Sequence, residues 1–416
     1  MNKYLVFRKR LIASGIGILL TASLAACGTS KGSSNDTTTE AVTSVTTEAV
    51  AEKTEEVKAT KTSVETEEVS ENTTSITLAD EKDITITEAG TYYITGSAKN
   101  CTIRVEADKE NDKVNIVLDG VNIENTSKPC IYVVSADKTI ITTKSASILS
   151  VTGTIAEDGD TTPDAVIYAK DDLKFNGDAL LTVDSSEADS LNAITGKDDI
   201  KFEGGEYAIN SSKNAVRAND SIEVSDGTFT INATDDGLHA ENNDDDSVGN
   251  IEITGGTFNI KAGDDGLHAT TTIVVSGGEI NVEAAEGFEA TQIEINDGNI
   301  TINASDDGIN AAHKSSALSP LITFNGGNTT ITMGAGDTDA VDANGDIVVN
   351  DGIITITAPT SSFDYDGSGT INGGTVTING EVVTSMPANM MMGGPGQGGQ
   401  MGNQMGNQMG GPGQRP

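Results

Sequence analysis

The sequence predicts an all-β fold, a right-handed parallel β-helix with three short strands per coil, on three observations. Three signatures recur in a fixed order. Glycine turns return at a near-constant interval, and the composition is 46 Gly against 8 Pro with β-branched residues throughout. The first signature is an alternating strand ending in a Gly turn, as in Ile200-Lys-Phe-Glu-Gly-Gly205, Ile222-Glu-Val-Ser-Asp-Gly227 and Ile251-Glu-Ile-Thr-Gly-Gly256. The second is another alternating strand, such as Thr228-Phe-Thr-Ile-Asn232. The third is a small loop and a very short strand: Asp236-Gly-Leu-His-Ala240, Asp265-Gly-Leu-His-Ala269, Glu286-Gly-Phe-Glu-Ala290 and Asp307-Gly-Ile-Asn-Ala311.

Successive turn glycines from Gly205 to Gly374 stand 22, 29, 22, 20, 29, 25 and 22 residues apart. A unit of 20–22 residues holding three strands is one coil of a β-helix. A β-sandwich also has many short strands, but its hairpins do not repeat a three-part order at this period. Alternation sends Ile222, Val224, Phe229, Ile231 and Leu238 inward in one coil, with Leu267 stacked on Leu238 in the next. The two 29-residue intervals place insertions at Glu241–Val248 and Ala312–Pro320, both after the third strand, so they form a wall on one corner.

The ends read differently. Residues 1–27 form a signal peptide, with Lys3, Arg8, Lys9 and Arg10 before an apolar stretch that is short for a membrane span. It closes in Leu24-Ala25-Ala26-Cys27-Gly28, which resembles a bacterial lipoprotein signal. That resemblance implies lipidation of Cys27 and an extracytoplasmic protein held on the cell surface by its lipid anchor alone. Residues 28–75 are a Thr/Ser/Glu-rich tether, and 386–416 a Met/Gly/Gln-rich tail, both too polar to bury a core and therefore flexible. Between them, residues 76–385 are the β-helix. Cys101 and Cys130 open similar strands, either as a disulfide between stacked neighbours or as two buried thiols.

The formal charge is −38, from 63 acidic and 25 basic residues, which disfavours nucleic acid and anionic lipid as partners and favours divalent cations, Ca²⁺ above all. Three outward columns carry candidate chemistry. In the third strand the polar column reads Asn192, Arg217, His239, His268, Glu289, Asn310 and Asp342, of which the first six are the expected carbohydrate-binding residues. The acids opening that strand, Asp164, Asp189, Asp236, Asp265, Glu286, Asp307 and Asp339, form a second column, with Asp235, Asp264 and Asp306 directly before three of them. Asp171, Asp198 and Asp220 align as a third, beside Lys170 and Lys197. Stacked carboxylates repel unless a cation or backbone N–H groups neutralise them. Ca²⁺ is therefore expected among Asp171, Asp198, Asp220, Asp189, Asp235, Asp236, Asp264, Asp265, Asp306 and Asp307. The alternative is that each Asp caps the turn beside its Gly.

Asp119-Gly-Val-Asn-Ile123, Ala165-Val-Ile-Tyr-Ala-Lys-Asp-Asp-Leu173 and the repeated Asp-Asp-Gly coils together resemble the carbohydrate-binding domain-containing β-helix lipoproteins of bacteria that degrade plant cell walls. The resemblance runs well from Thr77 to Ala312 and generically beyond. It implies a pectate-lyase-like β-helix with bound Ca²⁺ and affinity for cellulose or polygalacturonate. Asn219 departs from the pattern, where Lys is expected. With no Trp to stack on pyranose faces, an acidic polysaccharide bridged by Ca²⁺ fits better than crystalline cellulose. Two alternatives stand beside this reading. One is a weak Ca²⁺-dependent polyuronate lyase with Arg217 as the base, and the other a passive surface protein or adhesin.

Overall fold

The computed structural model describes residues 72–387 except 337; Cys27 and the signal peptide, nearly all of the tether and nearly all of the tail lie outside them. The described residues hold strands and no helix, in a parallel β-solenoid of about 12 turns. The strands run from Thr73–Thr77 to Glu381–Val383. Two sheets wind around one core, one of 20 strands and one of 12. The larger sheet holds the first two strands of every coil, and the smaller one holds the third.

In several coils the first two strands merge into one, as in Ile200–Ser211, Ser221–Ala233, Thr272–Ala284 and Gln292–Ala304. The bend within them is a bulge, where the register slips between Phe202 and Glu206. The periodic glycines sit at this bend in a left-handed conformation, for example Gly227 at φ 132° and Gly256 at φ 96°. A side chain at Gly256 would also place its Cβ 2.9 Å from the Gly227 carbonyl oxygen of the preceding coil. The recurrence of Gly is therefore both a dihedral requirement and a stacking one.

The inward register is as the alternation requires. Ile222, Val224, Phe229, Ile231 and Leu238 are all buried, and Leu238 pairs with Leu267. Inside, aromatics stack coil on coil: Phe175 on Phe202 at 4.8 Å between ring centroids, Tyr207 on Phe229 at 4.9 Å and Phe229 on Phe258 at 4.6 Å. Offset aromatic contacts of this kind add to area burial and hold the register. The two cysteines are free thiols, both buried. Their strands pair Ile103 with Ile131, so Thr102, not Cys101, lies beside Cys130. Cys101 Sγ donates to the Lys82 carbonyl at 2.9 Å, and burial pushes the Cys130 thiol up.

Both inserted loops leave the corner after the third strand and meet there, with the Ser316 N–H donating to Asp246 Oδ2 at 2.8 Å. At the C-terminal end, Thr375–Ile378 folds back antiparallel on Glu381–Val383 through Asn379 and Gly380, both at positive φ. That hairpin covers the last strand edge, which would otherwise template further pairing.

Leu238→Asp places an unpaired carboxylate between the Val216 and Leu267 positions of neighbouring coils. Each coil depends on its neighbours, so several coils are expected to melt together. Circular dichroism melting checks this; wild-type melting of the variant would contradict the inward register.

Candidate functional site

The smaller sheet carries the candidate site on its outer face, because each third strand alternates one inward aliphatic with one outward polar residue. Pairing between coils fixes the outward column: Arg104, Tyr132, Tyr168, Thr195, Arg217, His239, His268, Glu289, Asn310, Asp342 and Asp364. Arg217, His239, His268, Glu289, Asn310 and Asp342 fall where the sequence places them. Asn192 does not. Ile194 pairs with Val216 and with Ile167, so the strand is Asn192–Gly196 and Thr195 occupies the outward position.

Asn192 is instead wholly buried and takes part in a ladder of side-chain oxygens climbing from coil to coil. Its Oδ1 accepts the Asn214 N–H at 3.2 Å, and Asn214 Oδ1 accepts the Asp236 N–H at 3.1 Å. Asp236 Oδ1 accepts the Asp265 N–H at 2.9 Å, and Asp307 Oδ1 accepts the Asp339 N–H at 3.1 Å. The column expected to begin at Asp164 and Asp189 therefore begins at Asn192 and Asn214. Asp189 is exposed in the preceding loop and joins no column. Asp236 and Asp307 thus accept a backbone N–H of the following coil rather than one of the turn beside their own Gly, while the Asp265 carboxylate is engaged by His268. The adjoining glycines serve a different purpose: at Gly237 a Cβ would lie 2.5 Å from the Gly266 carbonyl oxygen, so the close approach of coils excludes a side chain.

The two histidines stack nearly parallel, with ring centroids 4.5 Å apart. Each is held from behind by the acid of its own strand. His239 Nδ1 lies 2.6 Å from Asp236 Oδ2, and His268 Nδ1 lies 2.6 Å from Asp265 Oδ2. His239 Nε2 is 3.2 Å from Glu241, while His268 Nδ1 is also 3.2 Å from Glu289 Oε2. Lys314, from the second inserted loop, reaches the same Glu289 oxygen at 2.5 Å. Burial disfavours charge on His268, but its bonds to Asp265 and Glu289 outweigh that and raise it to about 10. The converse holds for Glu289, drawn down to about 2 by His268 and Lys314 against its own burial, and for Glu241, drawn to about 2 chiefly by His239.

The remaining acids are pushed the other way. Burial, then neighbouring carboxylates, raises Glu286 to about 8, Asp342 to about 7 and Asp265 to about 7 despite its histidine. Asp307 reaches about 6 against the N–H it accepts. At the next corner Asp171, Asp198 and Asp220 do align, since Leu173 pairs with Ile200 and Ile200 with Ile222. Asp171, however, is buried, bound by Lys109 and by the Ala136 N–H. Asp198 instead draws close to Asp172 and Asp199, their oxygens all within 4.8 Å of one another. Burial and those two acids, with Asp220, push Asp198 up to about 7. Asp235, Asp236 and Asp264 form a second such triplet, whereas Asp306 is exposed beside Asp307. Asp172 and Asp199 were not singled out in the sequence, although each directly follows an expected ligand, Asp171 or Asp198.

Beyond the ridge, the second strands present a face of Thr and Asn crossed by the Lys261–Glu283 ion pair. It lines a shallow cavity of about 300 Å³ between Thr230, Asn232, Asn259, Asn281, Thr301 and Asn303.

The family model described as carbohydrate-binding domain-containing protein matches residues 80–337 and 284–390. The chain belongs to this family. A relative in Acetivibrio thermocellus, also a carbohydrate-binding domain-containing protein, is 33% identical over 135 residues, which make up 32% of this chain. The match spans 46% of that relative's length, about half. Among solved structures, the polysaccharide lyase-like protein from C. thermocellum, in its gadolinium derivative, is 21% identical with a TM-score of 0.32, over 76% of this chain and 96% of its own.

The raised acids fix a pH dependence. Each holds its proton more tightly folded than unfolded, so its contribution to stability is complete below the ordinary carboxylate range and is lost as pH climbs through 6 to 8. His268 acts in the same direction, its contribution fading from the ordinary 6.5 toward about 10. Glu241 and Glu289, held near 2, contribute evenly across that range. In chelator, the melting temperature is expected to fall between about pH 5 and about pH 8. A melting series that is flat or rising over that interval would contradict the assignment.

Proposed function

We propose that this protein binds an acidic plant cell-wall polysaccharide, of the polygalacturonate type, along the outer face of its smaller sheet. A hard divalent cation, Ca²⁺, joins the protein's carboxylates to those of the ligand. The observation that carries the reading is the pair of carboxylate triplets, Asp172–Asp198–Asp199 and Asp235–Asp236–Asp264, flanking the His–Glu ridge on a chain of net charge −38. Their donor set is all oxygen, as Ca²⁺ requires; burial first, and then repulsion from neighbouring carboxylates that a cation would relieve, pushes Asp198 and Asp264 up. Without a cation, a chain this acidic repels a polyuronate.

The remaining residues orient rather than attract. His268 and Lys314 neutralise Glu289, leaving Asn310 and Arg217 as hydrogen-bonding groups toward sugar hydroxyls. Cellulose is the weaker fit. There is no Trp, and Tyr132 and Tyr168, which face outward on this sheet, are almost entirely buried and offer no stacking platform. Cys27 is the proposed lipid anchor, carrying the β-helix outside the cell on the acidic tether.

Retention on immobilised polygalacturonate and on a neutral β-glucan, each in Ca²⁺ and in EDTA, tests the reading. Polygalacturonate retention is expected to fall in EDTA more than glucan retention does, and Asp198→Asn with Asp199→Asn to reproduce part of that loss at unchanged fold. Calorimetry without Ca²⁺ binding, together with chelator-insensitive retention, would leave the triplets purely structural.

A further inference from the structure

Histidine is scarce in this chain, three in 416 residues, yet two of the three, His239 and His268, stand in register on adjacent coils. Each ring is held by the same edge. His239 Nδ1 lies 2.6 Å from Asp236 and His268 Nδ1 2.6 Å from Asp265, in both cases the acid three residues earlier. The rings are inclined by only 13° to each other, so both Nε2 atoms face the same way, one coil apart. One donor atom each from Asp236, His239 and His268 lies within 4.8 Å of the others. His268 Nε2 has no hydrogen-bond partner among the described residues. His239 Nε2 meets Glu241 Oε2 at 3.2 Å. Glu241 opens the first inserted loop, directly after the strand Leu238–Ala240, and is a partner that the repeat alone does not reveal.

A carboxylate behind Nδ1–H fixes the tautomer that presents Nε2 as a lone pair, and such a carboxylate is the usual support of a metal-ligating histidine. This chain supplies it twice, on neighbouring coils. A lone pair that faces a carboxylate, as His239 Nε2 faces Glu241, is repelled unless a proton or a metal ion lies between them. Tetrahedral zinc with bonds of about 2 Å holds neighbouring donor atoms about 3.3 Å apart, close to the 3.2 Å found here. The ring stack is wider, 4.5 Å between centroids, so sharing an ion requires the two Nε2 atoms to tilt together by about 1 Å. We propose that His239, His268 and Glu241 form a site for a nitrogen-preferring divalent ion of the zinc type, with Asp236 and Asp265 as positioning residues and a fourth position left to water. Two imidazoles and one carboxylate suit zinc, whereas Ca²⁺ takes about six to eight oxygens. The site therefore differs in chemistry from the carboxylate triplets and does not rest on the acidic-glycan reading. Asp236 is common to this site and to the Asp235–Asp236–Asp264 triplet, so the two metals are separated by working in excess Ca²⁺.

Calorimetric titration of the full chain with Zn²⁺ in excess Ca²⁺, paired with Co²⁺ absorption spectroscopy, tests the site. Zn²⁺ is expected to bind the wild type and raise its melting temperature, and Co²⁺ to show the intense visible bands of a four-coordinate ion. His239→Gln with His268→Gln is expected to lose more than about a hundredfold in Zn²⁺ affinity. Asp265→Asn keeps every ligand and is expected to lose about tenfold, as for a supporting carboxylate. Glu241 lies on an inserted loop, so Glu241→Gln keeps the fold even where the histidine variant does not. It is expected to weaken Zn²⁺ binding and shift the Co²⁺ bands. A wild type that does not bind Zn²⁺ overturns the site, as does a six-coordinate Co²⁺ spectrum. Zn²⁺ affinity unchanged in Glu241→Gln, or in the folded histidine variant, places the ion elsewhere and overturns it as well.

Discussion

Parallel pairing between successive coils, with about 4.8 Å from one strand to the next, governs everything else in this protein. It places each side chain on its counterpart one coil away, and the stacked position repeats as long as the repeat holds. Inside, this rewards sameness: Leu238 rests on Leu267, and Phe229 on Phe258 with rings stacked nearly parallel. Outside, the same constraint is costly wherever the repeated residue is charged. The acidic third-strand motif, copied from coil to coil, stacks carboxylate on carboxylate.

The chain answers that repulsion in three ways along one edge of the smaller sheet. At Asp236, Asp265 and Asp307 the acids accept hydrogen bonds, from the following coil's backbone N–H or from the histidine three residues on. Near Glu289 a cation is brought in from elsewhere, His268 from the neighbouring coil and Lys314 from the inserted loop. At Asp172, Asp198 and Asp199, and again at Asp235 and Asp264, the carboxylates converge, and burial with mutual repulsion holds Asp198 near 7. The third arrangement is where the proposed divalent ion would sit. The histidines, by contrast, are committed through Nδ1 to Asp236 and Asp265, which orients their rings face to face and turns both Nε2 atoms the same way.

How far the sequence could be read follows from which contacts are periodic. The glycine interval, the inward residues and the corner carrying both insertions were legible because each reflects a requirement repeated in every coil. The outward ridge was legible from Arg217 onward for the same reason. It failed at Asn192 because Asp189-Ser-Leu imitates the Asp-Gly-Leu motif three residues too early, and only the burial of Ile194 between Ile167 and Val216 separates the two registers. A better signal was present: Asn192-Ala-Ile and Asn214-Ala-Val share the pattern of an amide or acid, a small residue and an aliphatic with Asp236-Gly-Leu. The pairing of Asp171 with Lys109 was not legible, since it joins residues 62 apart through a loop outside the repeat.

An anomalous-scattering map from crystals grown with Ca²⁺ and trigalacturonate tests the central claim most directly, that stacked carboxylates make the outer face of the smaller sheet a polyuronate site. The expected result is a cation peak at Asp172–Asp198–Asp199 or Asp235–Asp236–Asp264, with sugar density along the ridge beside Arg217. Sugar density on the second-strand face of Thr230, Asn259 and Asn281, with neither triplet occupied, would contradict it.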